Sequence, residues 1–140
     1  MARDFRLAGL LRLRQVQQDQ AASDLASANS RARESAARQN RARAALGGVG
    51  AEATSSSVLY AIAAARSSSR SMLSELEAVE TLDQERVRQA ADAYAQARAR
   101  SLGLEKLEAR HTETQNAADL AAQQAAIDEI ASTSTNGDTQ

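Results

Sequence analysis

Residues 4–46 read DFRLAGLLRLRQVQQDQAASDLASANSRARESAARQNRARAAL. Alternating steps of three and four residues connect positions 7, 11, 14, 18, 21, 25, 28, 32, 35, 39, 42 and 46. Eight of these twelve positions are apolar, and the exceptions are Arg14, Gln18, Ser35 and Gln39. The spacing predicts one long helix that packs on another helix along a coiled-coil seam. Asp4 is a suitable cap for its start, and Gly47-Gly48 can supply the left-handed residue that ends it.

The same spacing resumes after segment 47–57, whose Gly and Ser content indicates a loop. Ser57 is a candidate cap for the second helix, and the tail from Ser132 has the composition of a disordered segment. The second seam runs through Leu59, Ile62, Leu73, Leu76, Val87, Ala90, Tyr94, Ala97 and Leu104, then shifts phase to Leu107, Leu120, Ile127 and Ile130.

The fold predicted from these patterns is all-α, a long two-helix antiparallel coiled-coil hairpin with a disordered C-terminal tail. A single hairpin domain covers residues 1–131 and a flexible tail covers 132–140. Arm one spans about 4–46 or extends to 66, the apex lies within 47–71, and arm two continues to about 131.

Composition agrees with long helices joined through small side chains. The chain has 140 residues, of which 33 are Ala and only 23 are Leu, Ile, Val or Phe, so a thick globular core is not expected. It contains no Pro to interrupt a helix and no Cys for a disulfide or a thiolate site. Neither a secretory signal nor a membrane span is expected, and the predicted location is cytoplasmic.

Charge divides the chain and favours pairing within it. Residues 1–46 carry nine Arg and four acidic residues, whereas residues 47–140 carry eight Lys or Arg and fourteen acidic residues. A basic arm beside an acidic arm attracts, whereas a parallel homodimer would place like charges together. Exposed ion pairs contribute only about 0–1 kcal/mol each, so the charges select a pairing more than they stabilise it.

Two turn positions are compatible with the pattern. If each residue of one arm pairs with one residue of the other, a turn at 47–57 pairs residues 5–46 with about 58–99. About thirty residues of helix then remain unpaired. A turn near 66–71 gives arms of equal length and brings Phe5, Leu7, Leu10, Leu11 and Leu13 to Leu120, Ile127 and Ile130. We prefer the second arrangement because it covers both apolar clusters.

No catalytic residue, cofactor site or metal site is expected. His111 is the only histidine, and the glycines of 47–50 lack the Lys-Ser/Thr of a phosphate loop. The stripe of Arg31, Arg33, Arg38, Arg41 and Arg43 raises the alternative of nucleic-acid binding. The net charge of −1 and the absence of stacking aromatics favour ion pairing within the hairpin, so no nucleic-acid partner is expected.

The N-terminal stretch Phe5-Arg-Leu7-Ala-Gly-Leu10-Leu11-Arg-Leu13-Arg14 resembles the opening of the flagellar export protein FliJ family, Phe-x-Leu-x-x-Leu-Leu-x-Leu-Arg. Leu104-Glu-Lys-Leu107 is similar to the family's Leu-Glu-Lys-Leu segment, and Gln123-Gln124 with Asp128-Glu129-Ile130-Ala131 is similar to its ending. The order and spacing of the blocks cover residues 5–131. The Ala- and Gln-rich stretch 114–127 and the Gly- and Ser-rich breaks depart from the family pattern.

The resemblance implies a non-catalytic part of the type III export apparatus, similar to the central stalk of rotary ATPases. Its implied partners are the flagellar export ATPase, the cytoplasmic domain of the export gate protein and, in some members, export chaperones. The implied location is the cytoplasmic side of the membrane at the flagellar base, without insertion. Chaperone or chaperone-escort activity is an implied additional role, and an unrelated coiled-coil adaptor or secretion chaperone is the alternative.

Two sets of partner-binding residues are predicted. The ATPase-facing set is placed at the chain termini, where large apolar side chains are densest, and consists of Phe5, Leu10, Leu13, Arg14, Gln124 and Glu129. The apex set consists of Tyr60, Ile62, Met72 and Leu76. For both sets, simple packing of the seam is the competing explanation.

Overall fold

A computed structural model of the chain describes residues 4–48, 52 and 54–137, in which two helices and no strand occur. Helix α1 spans Ala8–Gly47 and helix α2 spans Ser56–Gly137. The two helices pack as an antiparallel hairpin, which confirms the predicted fold class. Neither helix, among the described residues, is long and apolar enough to cross a membrane.

Helix α1 follows the predicted seam closely. Every predicted position from 11 to 46 is buried or half-buried, and the residues between them are mostly exposed. The first position differs, because Ala8 is half-buried whereas Leu7 is 38% exposed. Even the four polar exceptions point into the seam, and Ser35 and Gln39 are among the most buried side chains of the described residues.

Helix α1 begins and ends differently from the sequence prediction. Asp4 does not cap it, since the helix starts at Ala8 after a turn in which the amide of Ala8 donates to the carbonyl of Phe5 at 2.9 Å. No described glycine has a positive φ, so the predicted left-handed ending at Gly47 and Gly48 is wrong. Instead, the amide of Gly48 continues the helical pattern by donating to the carbonyl of Ala44 at 3.1 Å.

Helix α2 begins at Ser56, about one turn before the first predicted seam residue Leu59. It is continuous through residues 66–71, which we call the Ser-rich patch. Its cap is Ser55 rather than Ser57, because the hydroxyl of Ser55 accepts from the amide of Val58 at 3.3 Å. Seam residues of α2 repeat at steps of three and four, at 62, 66, 69, 73, 76, 80, 83, 87, 90, 94, 97, 101 and 104, and then at 111 and 115.

The preferred turn at 66–71 is wrong, because these residues lie inside α2. The connection between the helices is at 48–55, which is the Gly- and Ser-rich segment. Ser costs a helix only about 0.5 kcal/mol relative to Ala, so a run of serines with neither Gly nor Pro does not break α2. The helix also continues to Gly137, within the segment predicted as a tail, and residues 138–140 lie outside the described residues.

The contacts divide the chain into two compact units, and each contains a segment of both helices. One unit consists of Gln18–Gln96, and the other consists of Met1–Gln17 with Ala97–Gln140. In the first unit Arg43 contacts Glu77 and Ser35 contacts Asp83, so the segments run antiparallel. In the second unit Phe5 contacts His111, and Leu10 lies beside Leu104 and Leu107.

The replacement Gly103→Ala is expected to stabilise the protein. Gly103 lies inside α2 at an exposed position where an added Cβ would meet nothing within 4 Å. Removing the extra backbone freedom of glycine should raise the free energy of unfolding by about 1 kcal/mol. Urea denaturation followed by circular dichroism measures the change. A decrease in stability would show that a close approach of another side chain requires glycine here.

Candidate functional site

A polar layer crosses the hairpin seam in the unit Gln18–Gln96. The hydroxyl of Ser35 on α1 donates to Oδ2 of Asp83 on α2, and both side chains are buried. On the α2 side, Nη1 of Arg86 donates to the other carboxylate oxygen of Asp83 at 3.1 Å. A carboxylate in a seam is stabilised only when such donors meet it, so these contacts fix Asp83 opposite Ser35.

One turn further along α1, Gln39 extends the same layer. With its amide oriented to satisfy both ends, the amide nitrogen donates to Glu80 and the amide oxygen accepts from Nη2 of Arg43 at 2.9 Å. The same guanidinium nitrogen of Arg43 lies 3.3 Å from Oε1 of Glu77. Ser35–Asp83, Gln39–Glu80 and Arg43–Glu77 are three successive contacts between the helices, and we call this set the polar layer.

The polar layer lowers the pKa of Asp83. Its main cause is the hydrogen bond from Ser35, followed in the same direction by Arg86 and by the charge of Arg31, while burial opposes them. Each of its three carboxylates accepts a hydrogen bond from a side chain of α1. Its physical effect is on register, since a shift by one heptad would place an alanine of α1 where Ser35 stands and remove that donor from Asp83.

In the unit Met1–Gln17 with Ala97–Gln140, Leu11 is the one large aliphatic side chain among the described residues that is buried, at 5% exposed. Phe5 is half-buried and its ring lies 5.6 Å from the ring of His111. Leu10 and Arg14 line a shallow groove together with Gly103, Leu104 and Leu107. This contact places the N-terminal segment beside residues 97–115 of α2, whereas the preferred turn would have placed it beside 120–130.

Of the predicted ATPase-facing residues, the structure brings together only those of the N-terminal segment. Leu10 and Leu13 are 38% and 51% exposed, while Arg14 is half-buried and donates to Gln17 at 2.9 Å. Gln124 and Glu129 lie in a part of α2, residues 116–135, that is exposed at every position. Phe5 contacts His111 and Leu10 lies beside Leu104 and Leu107, so the expected placement of the chain's C-terminal residues opposite the N-terminal segment is wrong.

The predicted apex residues divide between surface and seam. Tyr60 and Met72 are 77% and 58% exposed and are available to a partner. Ile62 and Leu76 are half-buried at seam positions, which matches the competing packing explanation for these two residues. All four lie on the first six turns of α2 rather than around a turn between helices.

Sequence reasoning missed several polar seam positions of α2, among them Glu80, Asp83 and Ser101. The steps of three and four that join Leu76 to Val87 pass through 80 and 83, and those that join Ala97 to Leu104 pass through 101. The spacing was therefore sufficient to find them. They were overlooked because only apolar residues were counted as seam residues.

Within residues 4–48, 52 and 54–137, no group of three or more His, Cys, Asp or Glu side chains could hold a metal ion. No protein-family model, curated protein or solved structure matches the chain.

The stability of the hairpin should fall in acid through Asp83. Because the folded state lowers the pKa of Asp83, its contribution is complete above the ordinary carboxyl pKa of about 4 and is lost as the pH falls through the lower folded value. Thermal unfolding between pH 7 and pH 3 should show that the melting temperature falls less for Asp83→Asn than for the unchanged protein. The exposed Asp92→Asn is the matched control, and an equal loss in all three proteins would contradict this role.

Proposed function

We propose that the chain is a non-catalytic component of flagellar type III protein export. In this proposal it binds the export ATPase ring as a stalk-like subunit and couples the ring to the export gate. A role as export chaperone or chaperone escort is part of the same proposal. The proposed location is cytoplasmic, peripherally associated with the membrane at the flagellar base.

Exposed leucines in the N-terminal segment carry the proposal. The stretch that resembles the FliJ opening contains five large apolar residues, and only Leu11 among them is buried. Leu7, Leu10 and Leu13 are 38%, 38% and 51% exposed, so the hairpin leaves a substantial part of their apolar surface uncovered. Several such side chains close together on one segment are typical of a protein-binding surface.

Electrostatics and exposure support two separate contact regions. Arg14 and Arg100 line the groove beside Leu10, so a partner there should offer apolar side chains and acidic groups. Tyr60 and Met72 form the second region, and an aromatic side chain that is 77% exposed is a plausible anchor for the gate protein. A helical hairpin can hold both regions without chemistry of its own.

The first test is ATP hydrolysis by the flagellar export ATPase of the same organism, with oligomer size followed in parallel. The unchanged protein should stimulate turnover and promote ring formation. Replacing Leu10 and Leu13 together by Ala should raise the concentration for half-maximal stimulation about tenfold or more, because each exposed leucine would lose contact area in the complex.

The matched control replaces Val79 and Leu82 by Ala, since these side chains are 45% and 51% exposed and lie in the other unit. Equal stimulation by both variants would remove Leu10 and Leu13 from the interface. If the unchanged protein is helical by circular dichroism yet neither binds nor stimulates the ATPase, the unrelated coiled-coil adaptor or secretion chaperone becomes the better explanation.

A further inference from the structure

A second heptad stripe runs along α2 on residues that the hairpin does not cover. Steps of three and four join Ala99, Leu102, Lys106, Ala109, Glu113, Asn116, Leu120, Gln123, Ile127, Ile130 and Ser134, and all of them are exposed. We call this set the outer stripe. Its large members are Leu102, Leu120, Ile127 and Ile130, which are 37%, 65%, 59% and 68% exposed.

The outer stripe lies on a different face of α2 from the hairpin seam. In the unit that contains the N-terminus, the seam side chains at 97, 101, 104, 111 and 115 are buried or half-buried. Outer-stripe positions 99, 102, 106, 109 and 113 each lie two residues from a seam position, which on a helix is roughly the opposite side. The stripe is therefore exposed, and of its members only Ala99 borders the groove that Leu10 and Arg14 of α1 line.

The charges on residues 97–137 of α2 complement those of the same segment in a second copy only when the two helices run antiparallel. Residues 97–110 contain Arg98, Arg100, Lys106 and Arg110 against Glu105 and Glu108. Residues 111–137 contain four acidic residues and neither Lys nor Arg. A second copy in antiparallel orientation sets the basic segment beside the acidic one at both ends, whereas a parallel copy sets like charges together.

Side-chain sizes agree with the same orientation. When Ile127 of one copy lies opposite Leu102 of the other, the twofold axis passes between Thr114 and Gln115. In this register Leu120 faces Ala109 and Ile130 faces Ala99, so large side chains meet small ones. Lys106 faces Gln123, and Arg100 lies level with Glu129.

We propose that the protein forms an antiparallel homodimer through the outer stripe of α2. Two copies would bury eight large aliphatic side chains that each monomer leaves exposed. The polar members of the stripe hold the helices in one register at some expense of affinity. This inference concerns the free protein and does not rest on the proposed export function.

Sedimentation velocity of the full chain over a concentration series tests the proposal. The unchanged protein should change from monomer to dimer, and Leu102→Glu or Ile127→Lys alone should raise the dissociation constant about tenfold or more. The two replacements in one chain should restore the dimer, because the antiparallel register sets the new opposite charges together twice. Leu82→Glu and Val79→Lys are control replacements on exposed aliphatic positions of the other unit.

Disulfide trapping tests the direction of the helices, since the natural chain has no Cys. A mixture of Leu102→Cys protein and Ile127→Cys protein should form the mixed crosslink faster than either protein crosslinks with itself. Self-crosslinking of Ile127→Cys alone would indicate parallel helices and overturn the proposal. A chain that stays monomeric at all concentrations, with neither crosslink, would overturn it as well.

Discussion

The polar layer between Ser35, Gln39 and Arg43 on α1 and Asp83, Glu80 and Glu77 on α2 is the interaction on which the hairpin depends. An Ala-rich seam can slide, because alanines one heptad apart offer nearly the same contact and bury little area. The carboxylate of Asp83 cannot slide along α1 without losing its hydrogen bond from Ser35. The contact of Ser35 with Asp83 therefore sets the register of its unit, and neighbouring seam residues follow in steps of three and four.

A large part of α2 is not covered by α1. Helix α1 is 40 residues long and α2 is 82, so the shorter helix cannot cover the longer one. In the unit with the N-terminus, the contact between Phe5 and His111 lies near the last covered turns, and residues 116–135 are exposed. The uncovered helix and the outward-facing leucines of the N-terminal segment are the main surfaces left for other proteins.

A seam built from alanines and polar residues leaves some leucines inside the seam and others on the surface. The same leucine can belong to the seam or to a partner surface, and its residue type does not distinguish them. Leu11 and Leu10 are adjacent in sequence, yet one is 5% exposed and the other 38%. Only the direction in which each side chain points separates packing from binding.

The sequence by itself determined the two helices, their antiparallel direction and the seam face of α1, because heptad spacing, the absence of Pro and the charge division are local or additive properties. It did not determine where the chain turns. By composition, the Ser-rich patch and the Gly-rich segment are both acceptable as the turn between the helices. Which of them forms the turn depends on which polar residues meet across the seam. Ser35 opposite Asp83 is a contact between residues 48 positions apart, and only the tertiary structure, by satisfying both side chains at once, decided it.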